Sequence, residues 1–360
     1  METCFAGPER FGVTVLQTEK PLLRVLAGQS VRPLPFWLMR QAGRYLPEYR
    51  EVRKQTKDFL SLCLTPDLAT EVTLQPIRRY HPDAAILFAD ILLIPFGMGQ
   101  KLAFIEGEGP MLEPIRNSDG LGKLDVSRVD EVLAPVMQTV RNLRRELPTD
   151  VALIGFAGAP WTVATYMVEG GSSRNFEHTK AWAYGDENGF RQLMEKLVES
   201  TSRYLIAQIE AGVEVVQIFD TWAGALPEFA FRRFCIEPTR RIVSRVRGRY
   251  PHVPIMGFPR GAGMMLVDYI SETGVDGVSL DPFVPAHWAA EWLQPTCILQ
   301  GNLDPMMLVT GGQAMQAEIE RILGALGGSR YIFNLGHGIL PQTPPEHVAQ
   351  LAEIVRSWRG

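Results

Sequence analysis

The sequence has 360 residues, of which 46% are hydrophobic and 21% are charged, and its formal net charge is -4. A chain of this kind can bury one large core or two smaller ones. The slightly acidic balance argues against nonspecific binding to nucleic acid or to a membrane surface, because such binding depends on a broad basic field. Any anionic ligand must therefore be held by a local group of cations.

The sequence carries no sign of a membrane or secretory segment. No stretch approaches eighteen uninterrupted apolar residues, and the first residues include acids where a signal peptide has a basic region. We therefore expect a cytoplasmic protein. The four cysteines never form a CxxC pair, so the spacing favours neither a disulfide framework nor a cysteine zinc site, and we expect buried or inert thiols. They are Cys4, Cys63, Cys235 and Cys297.

Short β-rich apolar runs recur along the chain, and each is followed by a helical segment or by a loop and then a helix. Eight such runs favour an α/β fold, a single-domain (β/α)₈ TIM barrel over residues 1–360 with residues 1–20 as a short N-terminal extension. A doubly wound open sheet is the alternative, but it usually needs fewer strands or a second domain. The predicted strands are 36–39, 84–89, 151–156, 213–219, 253–258, 275–280, 297–300 and 331–335.

Capping residues mark two of the predicted helices. Thr65 is suited to cap a helix that has Pro66 at its first position, and Gly212 is suited to end the long helix that precedes it. Further helices are predicted at 128–147, 227–249, 263–273, 313–326 and 345–358.

Polar residues able to bind or to transfer protons follow nearly every predicted strand. Active sites of barrels are built from residues at the C-terminal ends of the strands, so we expect these side chains to converge. This convergence indicates an enzyme. The residues are Arg40, Arg44, Asp90, Asp220, Thr221, Arg260, Asp281, Asn302, Asp304 and His337.

Each candidate also has an ordinary structural interpretation. Arg40 and Arg44 could be surface residues, but the Gly-containing turn between them lets both guanidinium groups face one cavity and grip carboxylates. Asp90 lies between apolar runs, so it is either an N-cap or ion-pair partner, or a functional carboxylate that needs N–H donors or a cation. His337, between two glycines, could bind a ligand or simply bond to backbone. Tyr166 and Thr221, taken alone, fit a core tyrosine and a turn residue.

Seven long motifs resemble the uroporphyrinogen decarboxylase family, and they occur in the family's order. They cover the chain from about residue 20 to its end and include two signature regions, PFWLMRQAGRYLPEYR and GFAGAPWTVATYMVEGGS. The others are LFADIL, QIFDTWAG, GVSLD, QGNLDP and FNLGHGILP. The resemblance implies a (β/α)₈ barrel and a cytoplasmic homodimer that works without cofactor or metal.

The resemblance also implies a reaction and its residues. The enzyme would remove CO₂ from the four acetate arms of uroporphyrinogen III and give coproporphyrinogen III in haem and tetrapyrrole synthesis. Asp90 matches the aspartate that faces the pyrrole N–H groups, and the substrate-binding positions correspond to Arg40, Gln41, Ala42, Gly43, Arg44, Asp90, Tyr166, Thr221 and His337. Many family members have Ser where this chain has Thr221; Thr keeps the hydroxyl, but its methyl group restricts the rotamer.

Loss of CO₂ from a pyrrole acetate requires an electron sink, which protonation of the pyrrole supplies as a cationic iminium. Asp90 is suited to stabilise that cation, and the arginines to orient the carboxylates. We expect the catalytic residues to be Asp90, Arg40, Tyr166 and His337. The proton donor stays open: a guanidinium hardly deprotonates, whereas His337, Tyr166 or a held water would be an easier acid.

Two other functions are possible for such a chain. Zinc-dependent methyltransferases of the same barrel family need a thiolate-bearing zinc site, often with an HxC element, and no His here is followed two residues later by Cys. A noncatalytic tetrapyrrole-binding protein would need the arginines but not Asp90. Asp90 therefore favours the decarboxylase.

Overall fold

The structure is a computed structural model that describes residues 18–105, 107 and 109–360. Most of the predicted N-terminal extension, residues 1–20, lies outside the described residues, as does Cys4. Within the described part, no helix is both long and apolar enough to cross a membrane.

A seven-stranded, wholly parallel sheet forms the centre of the protein. Each of its strands lies beside the next one of this sheet along the chain. This is the arrangement that right-handed crossover connections produce. The strands are β1 Ala84–Ile86, β4 Ala152–Gly158, β5 Val215–Asp220, β6 Ile255–Pro259, β7 Gly277–Ser279, β8 Ile298–Gln300 and β9 Tyr331–Ile332, and a separate antiparallel hairpin joins β2 Leu102–Ile105 to β3 Gly109–Leu112.

The segment around Phe36 contacts both edges of this sheet. Phe36 forms a parallel bridge with Phe333 beside β9, and its carbonyl accepts a hydrogen bond from the backbone of Asp83 beside β1 (2.9 Å). The Asp83 carboxylate accepts the Phe36 N–H in return (2.9 Å). The sheet is therefore curled far enough for one short segment to reach its first and last strands.

Two hydrophobic cores lie on opposite faces of the curled sheet, because strand side chains alternate between the faces. On β4, Ile154 and Phe156 point into the inner core, whereas Leu153 and Ala157 point toward the surrounding helices. The inner core also holds Trp37 from the bridging segment. A buried apolar strand of this kind reads as a continuous hydrophobic run, as the sequence does here.

Helix α1, Pro21–Leu26, closes one end of the inner core. Its buried residues Leu22, Val25 and Leu26 belong to the inner hydrophobic cluster. Just before the helix, Lys20 Nζ donates to the carbonyl of Val151 (2.9 Å) and to Glu214 Oε2 (2.7 Å). These bonds attach the helix to the N-terminal ends of β4 and β5, so the C-terminal ends form the open side.

The remaining helices cover the outer face of the sheet. They are α2 Pro47–Lys54, α3 Phe59–Cys63, α4 Pro66–Tyr80, α5 Leu93–Gly97, α6 Val129–Val132, α7 Ala134–Glu146, α8 Pro160–Glu169, α9 Glu177–Gly185, α10 Glu187–Ala211, α11 Glu228–Phe231, α12 Glu237–Arg249, α13 Leu266–Thr273, α14 Ala286–Trp292, α15 Pro305–Thr310, α16 Gly312–Leu326 and α17 Pro345–Ser357. A π-helical turn, Arg232–Ile236, joins α11 to α12.

The predicted caps and thiols are confirmed where the structure describes them. Thr65 occupies the N-cap of α4 with Pro66 at the first position, although its side chain makes no capping hydrogen bond. Gly212 ends α10 with φ 124°, a conformation that residues with a Cβ rarely adopt. Cys63, Cys235 and Cys297 are buried free thiols.

Several predicted boundaries were wrong. The predicted strand 36–39 forms a single bridge at Phe36, because the backbone N–H groups of Leu38 and Met39 donate to side-chain amides instead of to a neighbouring strand. The predicted strand 331–335 is only two residues long. The predicted helix 227–249 is interrupted by the π-helical turn, and 128–147 divides into α6 and α7. The hairpin of β2 and β3 was not predicted.

Candidate active site

The predicted polar residues come from the C-terminal ends of the strands, and parallel strands place those ends at one edge of the sheet. Asp90 follows β1, Tyr166 lies on the helix after β4, and Thr221 directly follows β5. Arg40 follows the bridging segment, and His337 follows β9. The structure thus assembles at one opening the side chains that the sequence separates by up to three hundred residues.

Arg40 is held by a tightly bonded turn. Its backbone is left-handed (φ 59°), which is uncommon for a residue with a side chain and is often found at functional sites. Gln41 holds the turn, because its Oε1 accepts from the N–H of Leu38 (3.0 Å) and its Nε2 donates to the carbonyl of Ala84 (3.0 Å). On the other side, Asn334 Oδ1 accepts from the N–H of Met39 (3.0 Å).

The loop that carries His337 packs directly on the Arg40 side chain. A Cβ added at Gly338 would overlap Cγ and Cδ of Arg40 and would lie 2.9 Å from its Nε. The N–H of Ile339 donates to the carbonyl of Met39 (2.8 Å), which fixes the two loops to each other. Gly338 is therefore needed as glycine so that Arg40 can pass beside His337.

Asp90 is a partly buried carboxylate with one local hydrogen bond. Its Oδ1 accepts from the backbone N–H of Leu92 (2.8 Å). Burial raises the pKa of Asp90 above the ordinary carboxyl range, and the Leu92 hydrogen bond and the charge of Arg40 oppose that rise. Among the described residues Asp90 is in no ion pair, and the N-cap of α5 is Leu92, so neither predicted structural role is observed, while Oδ2 has no such local hydrogen bond.

His337 is neutral near pH 7. Burial is the main reason why its pKa falls to about 3, and the charges of Arg40 and Arg260 contribute to the fall. Its ring lies 6.3 Å from that of Phe258, measured between centroids. A neutral imidazole offers one donor and one acceptor, so His337 is suited to hydrogen bonding, and very little of it is protonated to serve as an acid.

Tyr166 lies near Asp90 and Arg40 and also near Trp222, which follows the end of β5. Burial raises the pKa of Tyr166, and Asp90 adds to the rise, while Trp222, Arg40 and Ser172 oppose it. The rings of Tyr166 and Trp222 lie 6.4 Å apart between centroids. Tyr166 therefore keeps its proton at neutral pH and remains a hydrogen-bond donor.

A buried scaffold fixes the turn that contains Thr221. Thr162 Oγ1 donates to Asp220 Oδ1 (2.5 Å) and accepts from the N–H of Trp222 (3.0 Å). Asp220 itself is fully buried, and burial raises its pKa to about 6 against hydrogen bonds from Thr162 and Cys235. Asp220, the last residue of β5, thus bonds to α8 on the outer face, whereas Thr221 lies just beyond the strand and is partly buried.

Aromatic side chains form an apolar floor beneath these polar groups. The ring centroids of Phe156 and Phe219 are 5.5 Å apart, and those of Phe219 and Phe258 are 6.1 Å apart, both in edge-to-face arrangements. The row continues from Phe258 to His337. Phe156 and Phe258 are buried and support Phe219, so a ligand here would meet the partly exposed Phe219 ring, with charged groups around it.

The predicted residues differ in what they offer to a ligand. The charge of Arg40 acts on Asp90, Tyr166 and His337, and the charge of Asp90 acts on Tyr166, whereas Thr221 directly follows β5 and is partly buried. Gln41 is only 2% exposed, and both polar atoms of its side chain form the hydrogen bonds that hold the turn. The backbone N–H groups of Ala42 and Gly43 make no hydrogen bond to another described residue.

Arg44 stays a predicted carboxylate ligand, and Arg260 is a cation that the predicted set of substrate-binding residues left out. Arg44 is exposed, and its charge acts on Tyr49, whose pKa burial raises to about 12. Arg260 lies beside His337, although sequence reasoning noted it only as a residue at a strand end. Its place directly after a buried strand was the signal that could have put it in the site.

The chain matches a family model and many curated proteins. The model described as uroporphyrinogen decarboxylase (URO-D) matches residues 17–358. A uroporphyrinogen decarboxylase of Rhodospirillum rubrum is 55% identical over 343 residues, which are 95% of this chain and 99% of that protein. One of Gluconobacter oxydans is 51% identical and covers 94% of this chain and 97% of its own length.

Solved structures of distant proteins share the fold. A methyltransferase from Methanosarcina mazei superposes with a TM-score of 0.79 at 21% identity, covering 94% of this chain and 98% of its own. A B12-independent methionine synthase from Shewanella gives a TM-score of 0.52 at 11% identity, with 90% and 95% covered. At these identities the likeness concerns the fold alone.

Proposed function

Because the chain belongs to the uroporphyrinogen decarboxylase family, we propose that it removes CO₂ from the four acetate arms of uroporphyrinogen III. The product is coproporphyrinogen III, with a methyl group in place of each acetate, and the reaction belongs to haem and tetrapyrrole synthesis. The enzyme is a carboxy-lyase. The observation that supports this most is the group of Arg40, Asp90, Tyr166 and His337 over an aromatic floor.

The aromatic floor and the cations suit the two chemical parts of the substrate. A tetrapyrrole has apolar ring faces and a periphery of carboxylates. Phe219, the partly exposed ring of this row, can pack against a pyrrole ring, and Arg40 can grip a carboxylate in bidentate fashion. The N–H groups of Ala42 and Gly43 add donors in the same turn, and Arg44 remains a proposed carboxylate ligand at its exposed edge.

Asp90 supplies the electrostatic part of the mechanism. Protonation of a pyrrole carbon gives an iminium cation, the bond to CO₂ breaks, and its electron pair neutralises the cation. A proton then adds to the methylene carbon, and the pyrrole carbon gives up the proton it gained. Ionised Asp90, hydrogen-bonded to pyrrole N–H, stabilises the cation, because it is a fixed negative charge in a partly buried place.

The remaining residues orient the substrate. Tyr166 keeps its phenolic proton and donates a hydrogen bond, and Thr221, directly after β5, offers a hydroxyl. His337 begins the reaction as a neutral hydrogen-bonding group, and substrate carboxylates beside it would raise its pKa by offsetting the charges of Arg40 and Arg260. In this mechanism the protein uses no cofactor or metal.

We further propose that the seven strands and the Phe36 segment together form a single-domain (β/α)₈ barrel. The bonds from Phe36 to both edges of the sheet support this. We also propose that the protein is cytoplasmic and works as a homodimer without nucleic acid or membrane. An exposed apolar patch of Met264 and Phe283, on the loops after β6 and β7, suits a second copy.

The test is an anaerobic assay of metal-stripped protein with uroporphyrinogen III, followed by oxidation and chromatography. We expect porphyrins with seven, six, five and finally four carboxyl groups to appear in turn. A protein that binds uroporphyrinogen and releases no CO₂ would be a tetrapyrrole-binding protein, and the decarboxylase proposal would be wrong. Activity that depends on added zinc or a corrinoid would contradict the mechanism given above.

A further inference from the structure

Arg260 is a cation of the open side whose position is fixed by the neighbouring strand. It directly follows β6, and its N–H donates to the carbonyl groups of Asp220 and Phe258, both at 3.1 Å. Its own carbonyl accepts from the N–H of Gly224 (2.9 Å). The side chain therefore starts from a backbone that three hydrogen bonds attach to the ends of β5 and β6.

The guanidinium group of Arg260 has no acidic partner among the described residues. No carboxylate of that part of the chain lies within ion-pair distance, and Nε is buried without a hydrogen-bond partner. The arginines of the outer helices differ, because those of 232–249 each pair with an Asp or Glu. A partly buried donor without an acceptor is costly unless a ligand supplies one.

The order of the sheet places Arg260 opposite Arg40. β6 is the middle strand of the sheet, with three strands on either side of it. Arg40 follows the segment that contacts both edges. The His337 loop packs on the Arg40 side chain, and the His337 ring lies 6.3 Å from that of Phe258, two residues before Arg260, so both cations lie at the same opening. A ring-shaped ligand with carboxylates around its periphery can engage the two arginines at once.

We propose that Arg260 binds a carboxylate of the tetrapyrrole, on the side of the opening that faces Arg40. This inference rests on the proposed function, and it adds a substrate-binding residue to it. Arg260 lowers the KM by holding a carboxylate in a bidentate contact that persists through the reaction. The carboxylate belongs either to an acetate or to a propionate, and the ligands used below distinguish the two.

The experiment compares Arg260→Gln with Arg260→Lys and with the control Arg141→Gln. Arg141 lies exposed on α7, so its loss changes the net charge equally and leaves the open side intact. The KM and kcat for uroporphyrinogen are measured anaerobically, and calorimetry gives the Kd of coproporphyrinogen, which keeps propionates and has no acetates. Thermal unfolding shows whether each variant is folded, and Arg260→Met serves if Gln is not tolerated.

We expect Arg260→Gln to raise the KM by about ten- to a hundredfold, with kcat changed much less and Lys restoring part of the loss. A matching rise in the Kd of coproporphyrinogen identifies a propionate, and a rise in KM alone identifies an acetate. If the KM and the Kd of Arg260→Gln lie within twofold of those of Arg141→Gln, the inference is overturned.

The proposed function and the inference can fail separately. If the wild type leaves uroporphyrinogen unchanged, the decarboxylase proposal fails, and the Kd of uroporphyrinogen is then measured at equilibrium. A tenfold weaker Kd for Arg260→Gln would still support the carboxylate contact. An unchanged Kd, or no binding by the wild type, would refute it.

Discussion

Asp90 can stabilise a pyrrole cation only when it is ionised, and its surroundings make ionisation harder. Burial raises its folded-state pKa, so turnover falls as the pH falls through a value above the ordinary carboxyl value of about 4. Asp90→Asn removes the charge and should lower kcat by roughly 10²–10³-fold, as for other groups that stabilise transition-state charge.

The pH profile of kcat for the wild type, with turnover of Asp90→Asn, checks this expectation. Coproporphyrinogen binding provides the control, because a neutral amide of the same shape should leave most of that affinity intact. An Asp90→Asn variant with more than a tenth of the wild-type kcat would remove Asp90 from the mechanism.

Gly338 controls the path of the Arg40 side chain. The Cβ of Gly338→Ala would occupy the place of Cγ and Cδ of Arg40, so the guanidinium group must move away from His337. We expect the KM for uroporphyrinogen to rise by about tenfold or more through loss of a charged hydrogen bond. The measurement is steady-state kinetics together with the unfolding midpoint.

Gly328→Ala is the matched control, because Gly328 is exposed and a Cβ there would contact nothing within 4 Å. It should leave the KM unchanged. Equal kinetics for the two variants would mean that Arg40 does not need its present position.

At the residue level, the sequence indicated the strand-end residues because their types and places both suit a site. It could not distinguish Gln41, whose amide is spent on holding a turn, from Arg40, which that turn presents. The strand-end pattern alone did not separate Asp220 from Thr221, and only the family motif singled out Thr221. In the structure Asp220 ends β5 and is fully buried, whereas Thr221 follows the strand and is partly buried.

Two glycines at the C-terminal end of α16 should respond oppositely to replacement by alanine, one raising and one lowering the stability of the protein. Gly324 is exposed inside the helix, and a Cβ there meets open space, so Gly324→Ala should stabilise the protein by about 0.5–1 kcal/mol. Gly327 caps the helix, and its Cβ would lie 2.6 Å from the carbonyl oxygen of Leu323 and against Trp358. Gly327→Ala should destabilise by about 1–3 kcal/mol.

Denaturant unfolding of both variants measures the difference. Glu320→Ala, one turn before Gly324, is the control for alanine at a helical position that already has a Cβ. If both glycine variants shift stability in the same direction, the close contact at Gly327 does not govern the result.

At the level of elements, apolar runs predicted the seven parallel strands because those strands are buried on both faces. The hairpin escaped prediction since β2 and β3 are short, partly exposed and include Pro110. The Phe36 segment was predicted as a longer strand. Side-chain amides of Gln41 and Asn334 replace its ladder bonds, and such long-range substitutions leave no local pattern in the sequence.

For the whole molecule, buried Asp220 makes stability depend on pH. Burial raises its pKa in the folded protein to about 6, above the ordinary value of 3.8. Between these values the folded state binds more protons than the unfolded state, so this group lowers stability as the pH rises. Asp220→Asn does not lose stability in this way. Between pH 4 and pH 7 its free energy of unfolding should therefore rise by on the order of 2–3 kcal/mol relative to that of the wild type.

Urea unfolding of wild type and variant across that pH range tests the sign. Exposed Asp119→Asn is the control, and its difference from the wild type should not follow the same course. A difference between Asp220→Asn and wild type that is constant with pH would show that Asp220 does not titrate there.

The association of two copies is also tested on the whole molecule. Phe283 and Met264 are 79% and 83% exposed, and Phe283→Glu would place a charge in the proposed contact. We expect the wild type to sediment as a dimer and Phe283→Glu to dissociate. Phe229→Glu, on the outer helix α11 and 63% exposed, should stay dimeric. A monomeric wild type would contradict the dimer proposal.

The position of α1 has a kinetic consequence for a reaction that repeats four times. Since α1 fills one end of the inner core, the opening at the strand ends is a dead end, with one passage for arrival and departure. An intermediate released after one step must compete with fresh uroporphyrinogen to return. Abundant substrate therefore favours escape of the seven-carboxyl intermediate, and scarce substrate favours completion to four.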